Sequence, residues 1–327
     1  MSSIFLFDPS IRETPEKPNK NLGDLIIFDA IAREFDFLLS GNQVVRYSTQ
    51  VELPWGAVWK NRRAACSLIC GTNLLSSVLD KTTPWKLTPF QSRFVQPSCL
   101  IGVGWWSDQG EPTPEAVSFF KRVLSKRLVH SVRDEMTASR LRAMGFANVE
   151  NTSCPTLWGL EGKTEADFAG PNRSTVLTMV SVWRKMPEED RRLLAMLKKH
   201  YARVVVWPQG HKDLEYLAEL GVEGVERLEY SMEALEAFIR SNPEAEYLGY
   251  RLHGGIRCMQ RGLRTLIIEV DNRAREIGRD TGLPTVERTD FARMQRWMEQ
   301  GEAFRIRLNR AAIERVKNQF QVFAAKK

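Results

Sequence analysis

The sequence predicts an α/β protein with two units of parallel sheet and helix, followed by a helical tail. Three observations support this. Short β-rich runs alternate with amphipathic helical stretches along most of the chain. Several of those runs, such as "CLIGVG" and "TLIIEV", are continuously apolar, as strands buried on both faces of a parallel sheet must be. A polar, turn-rich stretch at residues 160–174, "LEGKTEADFAGPNRS", divides the alternation in two. With 327 residues the chain also exceeds what a single hydrophobic core usually serves. The expected boundaries are 1–165 for the first unit, 166–290 for the second and 291–327 for the tail.

In the first unit the strand candidates are "SIFLF", "QVVRYS", "CSLIC", "CLIGVGW", "RLVHSV" and "NVENTS". Helices are expected over Asp24–Phe35, Pro114–Ser125 and Asp134–Met144, with Gly145 closing the last as a C-cap. The second unit restarts with strand "TVLTMVSV", a helix from Pro187 to His200, strand "RVVVW" and a helix from Lys212. Helix Met232–Arg240, strand "EYLGY", a helix after Gly254, strand "TLIIEV" and a helix ending near Gly282 complete it. In the tail, Ile313, Val316, Phe320 and Phe323 recur at helical spacing. They form a stripe that either packs the last helix onto a domain or meets a membrane surface.

Composition narrows the function classes. No apolar run approaches the length of about 18 residues that a membrane-spanning helix needs. The opening "MSSIFLFDPS" has no basic leader and places Asp8 directly after its apolar run. It reads as a first strand and predicts a cytoplasmic protein. The five cysteines, Cys66, Cys70, Cys99, Cys154 and Cys258, mostly sit in apolar segments without metal-ligand spacing and read as structural thiols. The net charge of +7 suits a phosphorylated substrate, anionic lipid or nucleic acid. Nucleic acid is disfavoured, because there is no recognisable motif and basic residues are dispersed among acidic ones. From Thr285 onward Lys and Arg outnumber Asp and Glu, which would suit peripheral attachment at an inner membrane face.

Ligands of open parallel sheets bind beyond the carboxyl ends of the strands. Polar residues gather at those points here. Arg133 follows "LVHSV", Arg251 and His253 follow "EYLGY", and Arg273 follows "LIIEVD". Asn21, Gly23 and Asp24 belong to "NLGD", which opens the first helix. Gly71, Thr72 and Asn73 follow "CSLIC" in "GTNLL", a turn that could lead into a helix. In "GYRLHGGI", Gly254 and Gly255 are expected to let the backbone approach a ligand and leave helix amides exposed to it. Beside them, the Arg251 fork suits a carboxylate or phosphate, and His253 can move a proton near neutral pH. The alternative is a structural pair, His253 satisfied by backbone and Arg251 by a nearby acid. Position at a strand's carboxyl end favours the site. Trp105 and Trp106 read either as core or as a platform for a sugar ring.

The ordered set "NLGD", "GTNLL", "SVRDE", "YRLHGG" and "EVDNRAREIGRDTGLP" resembles the polysaccharide pyruvyl transferase family from about Asn21 to Pro284. The resemblance implies two Rossmann-like domains facing a cleft, as in GT-B glycosyltransferases. It implies phosphoenolpyruvate as donor substrate and a glycan or lipid-linked saccharide as acceptor; no metal ligands with suitable spacing stand out, so no metal or separate cofactor is expected. It assigns Arg251, His253 and Arg133 to the donor. Members usually carry Lys before the "GLP" segment, where this chain has Arg273. An Arg often follows the first strand of the second domain, and "SVWRK" supplies Arg184. Arg273 is expected to close on the phosphate, and Asp24 either to orient the acceptor or to cap its helix. The rival readings are a nucleotide-sugar glycosyltransferase, with Glu269 or Asp271 on the ribose, and a non-catalytic glycan-binding protein of the same fold.

Overall fold

The elements follow this alternation over residues 3–12, 20–80, 83–107 and 109–324, the span that the computed structural model describes. In chain order the first part contains β1 (Ser3–Asp8), α1 (Leu22–Glu34), α2 (Asp36–Leu39), β2 (Gln43–Ser48), α3 (Trp55–Arg63), β3 (Cys66–Cys70) and β4 (Asn73–Leu75). It continues with β5 (Cys99–Ile101), β6 (Gly104–Trp105), α4 (Pro114–Val123), β7 (His130–Val132), α5 (Glu135–Ala143) and β8 (Val149–Asn151). The second part runs β9 (Thr175–Thr178), α6 (Pro187–His200), β10 (Arg203–Val206), α7 (Asp213–Glu219), β11 (Glu226–Arg227) and α8 (Met232–Ser241). After these come β12 (Glu246–Gly249), α9 (Leu252–Gln260), β13 (Arg264–Glu269), α10 (Asn272–Thr281), β14 (Thr285–Glu287), α11 (Phe291–Gln300) and α12 (Arg310–Asn318).

Two units result. One comprises Met1–Asn19, Ile27–Trp158 and Leu308–Lys327, the other Lys20–Ile26 and Gly159–Arg307. This division differs from the expected 1–165, 166–290 and 291–327 in three ways. The crossing falls at Trp158, before the polar stretch. The expected tail is shared, α11 going to the second unit and α12 to the first. Residues 20–26 also join the second unit, because backbone pairing ties them to the loop after β10 (Asn21 bridges Gly210).

The first unit carries a parallel sheet of order β2-β1-β3-β5, whose direction of winding reverses between β1 and β3. A parallel β7–β8 pair lies alongside through the Val103–Val132 bridge. Phe5, Phe7, Ile69, Leu100, Trp105 and Phe120 are among its buried core side chains. Ile313, Val316 and Phe320 of the tail stripe are also buried, so the stripe packs onto protein rather than facing a lipid surface. The second unit is a six-stranded parallel sheet ordered β11-β10-β9-β12-β13-β14, the doubly wound order with its switch point between β9 and β12.

Local chemistry explains the boundaries. Thr113 caps α4 by accepting from the Ala116 amide, and Asp134 caps α5 through Thr137. α6 begins with Pro187, carries acids in its first turn and bases in its last, and so opposes its own dipole at both ends. Gly282 ends α10 at φ 74°, a left-handed conformation in which a Cβ is penalised. The expected strand "CLIGVGW" is broken at Gly102, which turns at φ 64°. "GTNLL" leads into β4, which pairs with β6, rather than into a helix. All five cysteines are buried free thiols, and burial pushes the Cys66 thiol up to about 12. Among the described residues no helix is long and apolar enough to cross a membrane.

At the amino edge of the second sheet lies a closed ionic cluster. Glu246, the first residue of β12, sits 3.4 Å from Arg264, the first residue of β13. The Tyr201 hydroxyl donates to Glu246, the Asn172 amide donates to it at 3.1 Å, and Arg264 stacks on Trp297 at 3.7 Å. Burial raises the Glu246 carboxyl above its usual range, against the lowering by Tyr201 and Arg264.

Candidate active site

The carboxyl edge of the second sheet is arranged differently. Arg251 leaves β12 as the residue before α9 and is 6% exposed. Its Nη2 donates to Asp213, the first residue of α7, and its Nε donates to the Val180 carbonyl at 3.3 Å. Those bonds join the loop after β9 to the segment after β12, across the sheet's switch point. Asp213 in turn accepts from the Gly210 amide at 2.7 Å. The Arg251 backbone is held as well: its amide donates to the Tyr247 hydroxyl at 3.1 Å, and that hydroxyl donates to its carbonyl at 3.0 Å. No described residue engages Nη1, so part of the fork stays available. A guanidinium fixed on one side by carboxylate and backbone presents its remaining donors in a set direction.

α9 begins at Leu252, earlier than expected, so His253, Gly254 and Gly255 all lie in its first turn. This corrects the reason for the glycines. A Cβ at Gly254 would meet Gln209 Oε1 at 2.9 Å and the Met179 side chain closer still. At Gly255 it would meet the Tyr247 ring at 2.6 Å and Ile267 at 2.8 Å. They let the helix lie against the sheet and Met179; they do not open its amides to a ligand. The Gly254 amide donates instead to Gln209 Oε1 at 3.0 Å. His253 is 5% exposed, two residues beyond Arg251.

Gln209 is the joint of this region, and no motif announced it. Its Nε2 donates to Asn21 Oδ1 at 2.9 Å, its carbonyl accepts from Leu22 at 2.9 Å, and its Oε1 takes the Gly254 amide. The "NLGD" and "RLHGG" stretches, far apart in the chain, are therefore fastened to one side chain. Asn21 Oδ1 also accepts from the Gly23 amide at 3.2 Å, and a Cβ at Gly23 would stand 2.6 Å from Gln209 Nε2. Asn21, Gly23 and Gly254 thus build the joint itself.

Arg273 lies in the first turn of α10 and is already paired. Its guanidinium grips both oxygens of Asp271, at 3.0, 2.9 and 2.6 Å. Burial lowers its pKa, but Asp271 and then Asp24 outweigh that and hold the group charged. Asp24 is itself buried. The formal charges of Arg251, Arg273, Asp213, Asp271 and Asp24 sum to −1, so any cationic surplus must come from outside this group. Arg184 stands on an exposed turn after β9 at φ 52°, and its carbonyl is held by Arg288 Nη1 at 2.5 Å. Arg288, also silent in the sequence, binds Asp190 at 2.6 Å and lies over the Tyr250 ring at 4.6 Å.

The remaining expected residues gather at the carboxyl edge of the first unit. Gly71 and Thr72 are consecutive left-handed residues at φ 61° and 56°, and the Thr72 carbonyl accepts from Gly104 at 2.9 Å. Asn73 Nδ2 donates to the Trp106 carbonyl at 3.3 Å, while its buried Oδ1 has no hydrogen-bond partner. Arg133 lies against Gly104, where a Cβ would collide with its guanidinium, and its Nε donates to Asp134 at 3.3 Å. At 1% exposure Arg133 is an interior cation. Ser153 joins this edge at φ 59°, buried, with an unbonded Oγ. Trp105 is core, its indole N–H donating to Ser77 Oγ at 3.2 Å, whereas Trp106 is partly exposed. The structure thus gathers Asn21, Gly23, Asp24, Arg251, His253, Gly254 and Arg273 in one unit, with Arg184 on a separate turn there. Gly71, Thr72, Asn73 and Arg133 gather in the other.

Two doubly wound units define the class as a GT-B-like fold. The S. aureus MnaA–UDP co-structure is similar with a TM-score of 0.54 and 11% identity, over 97% of this chain and 91% of that one. The family 9 glycosyl transferase of Veillonella parvula (TM-score 0.40, 10% identity, 99% and 96% covered) and the glycosyltransferase SnogD of Streptomyces nogalater (0.39, 12%, 100% and 95%) are more distant. No curated protein matches. The family model described as "Polysaccharide pyruvyl transferase" matches residues 21–272. The chain belongs to that family and is a transferase.

Proposed function

We propose that the protein moves the enolpyruvyl group of phosphoenolpyruvate onto glycan hydroxyls. The donor's methylene carbon takes a proton and becomes a methyl group. Two sugar hydroxyls bond to the neighbouring carbon, whose bond to the phosphate oxygen breaks. Each hydroxyl gives up a proton, one balancing the proton on carbon and one leaving on hydrogen phosphate. The single observation that carries this reading is the Gln209 joint. It fastens the segment bearing Arg251 and His253 to the segment bearing Asp24, at the ligand-binding edge of the second sheet.

In this reading Arg251 binds a donor anion through Nη1 while Asp213 and Val180 fix its orientation. His253 exchanges the proton with the methylene carbon or the attacking hydroxyl. Arg133 is proposed as the second donor cation and Arg184, on its exposed turn, as a third. Arg273 is proposed to turn toward phosphate only by giving up part of its grip on Asp271. Asp24, with Gly71, Thr72 and Asn73, is assigned to the acceptor, and the unbonded Asn73 Oδ1 supports a polar contact there. The acceptor is expected to be a glycan or lipid-linked saccharide.

The test is to incubate the protein with phosphoenolpyruvate and a panel of glycan acceptors, following inorganic phosphate and an acid-labile pyruvate on the product. Both should appear together and depend on acceptor. Product formed from a nucleotide sugar, with nucleotide released and phosphoenolpyruvate untouched, would instead make the protein a glycosyltransferase. Saturable glycan binding without turnover of either donor would make it a binding protein.

A further inference from the structure

The first unit carries a surface that the transferase reading does not use. Trp55 and Trp59 stand one turn apart on the same face of α3, 47% and 48% exposed, and Phe90 beside them is 58% exposed. The rings form one patch: Trp55 lies 5.9 Å from Phe90 and 5.5 Å from Phe94, and the two Phe rings are 5.3 Å apart. The opposite face of α3, Ala57, Val58 and Asn61, is buried, so the helix is fixed with its tryptophans outward. Of the other exposed indoles among the described residues, Trp106 belongs to the first unit and Trp183 to the second. A cluster of large aromatics left in water marks an interaction surface.

The charge around it chooses the partner. Lys60, Arg62 and Arg63 lie in the last turn of α3 on its exposed side, and Arg93 is exposed in the short turn that carries Phe94. Arg122 joins the same face, its Nε donating to Ser92 Oγ at 3.0 Å. Residues 54–63, 86–94 and 121–127 together hold nine Lys and Arg and no Asp or Glu. We infer that this face docks on an anionic lipid bilayer, the aromatic rings entering the headgroup layer and the basic rim meeting lipid phosphates. Indole rings favour that layer because one edge is apolar and the other donates a hydrogen bond. The rim gains from a negative surface potential that neutral lipid lacks. This relocates membrane contact from the C-terminal tail. There Ile313, Val316 and Phe320 are covered, Arg315 is engaged by Glu150 and Lys317 by Glu34.

The experiment is co-sedimentation of the full chain with phosphatidylcholine vesicles, with and without one third phosphatidylglycerol, at low and physiological salt. Wild-type protein should sediment with the anionic vesicles and lose binding as salt rises. W55S/W59S/F90S should weaken binding at least tenfold. K60Q/R62Q/R63Q should weaken it by about fivefold per residue at low salt. R310Q/R315Q in the tail should leave it unchanged. All these side chains reach solvent, and unaltered thermal melting will verify that each variant folds. Absence of binding to anionic vesicles, equal binding to neutral ones, or full binding by both patch variants overturns the inference. So does self-association that W55S/W59S/F90S abolishes while no vesicle binds. Because the readout is sedimentation, its result is independent of whether the enzyme turns over phosphoenolpyruvate.

Discussion

Strand β12 begins at Glu246 and runs out into Arg251, and each end holds a buried arginine–carboxylate pair. At the amino end, Glu246 and Arg264 are enclosed by Tyr201, Trp297 and backbone, and Arg264 Nε and Nη1 are sealed in the interior without hydrogen-bond partners. At the carboxyl end, Arg251 is gripped by Asp213 yet keeps Nη1 unclaimed, and His253 follows within the first turn of a helix. The same pair of ions therefore sits in different surroundings at the two edges, because loops and helix N-termini converge at the carboxyl edge. The first unit repeats the contrast. His130 opens β7 with both ring nitrogens occupied, while Arg133 follows the strand's last residue at the edge where Gly71, Thr72 and Ser153 take left-handed backbone forms.

Substitutions at the two edges should separate accordingly. The largest effect is expected at His253: H253A should lower turnover by about 10²–10⁴-fold, with donor binding and melting little changed. Steady-state and single-turnover kinetics will read this, and wild-type turnover would remove the imidazole from the chemistry. At the opposite edge, R264M leaves Glu246 buried without its partner and should cost about 3–5 kcal/mol of stability. Denaturant unfolding measures that cost, and activity per folded molecule should be unchanged; a catalytic loss exceeding the folding loss would erase the distinction between edges.

His130 gives a pH test. Burial is the main cause that lowers its pKa to about 4 from the ordinary 6.5. The neutral ring accepts from the Leu100 amide at 3.1 Å through Nδ1, and its Nε2 donates to the Ser125 carbonyl at 2.8 Å. A proton on Nδ1 would face that amide. Because the folded value is depressed, stability is fully present above pH 6.5 and is lost as pH falls toward 4. The loss should be about 3 kcal/mol when complete. Urea unfolding across that window should show the slope in wild type and much less of it in H130Q, whose amide can both accept and donate. A smaller effect is expected from Q209A, which removes two hydrogen bonds of the joint. It should cost about 1–3 kcal/mol of local order and raise KM more than it lowers kcat. The smallest should come from R273K, within about threefold in kcat/KM, because Asp271 holds the charge in place whichever cation carries it.

Much of this was written locally in the sequence. Helix Pro187–His200 matches its expected bounds because its proline start and dipole-opposing ends are local signals. "CSLIC" and "SIFLF" read as buried strands because nothing charged interrupts them. The site was legible as positions: an arginine after an apolar run names the carboxyl edge without naming its partner. Asp213, Gln209 and Arg288 could not be found this way. Each acts through a contact with residues distant in the chain, and "WPQG" contains no repeat, charge or spacing that marks Gln209. The glycines after His253 show the same limit. The sequence pattern fits close approach to a ligand as well as close packing, and only Tyr247, Ile267 and Met179 decide for packing. The unit boundaries missed for a related reason, since pairing between Asn21 and Gly210 carries residues 20–26 into the second unit.

The most direct measurement is calorimetric titration of phosphoenolpyruvate into the wild-type protein, R251A and R264M. If the carboxyl-edge arginine holds the donor, wild type and R264M bind with equal submillimolar affinity and R251A loses at least tenfold. Undiminished binding by R251A, or no binding by folded wild-type protein, contradicts the account.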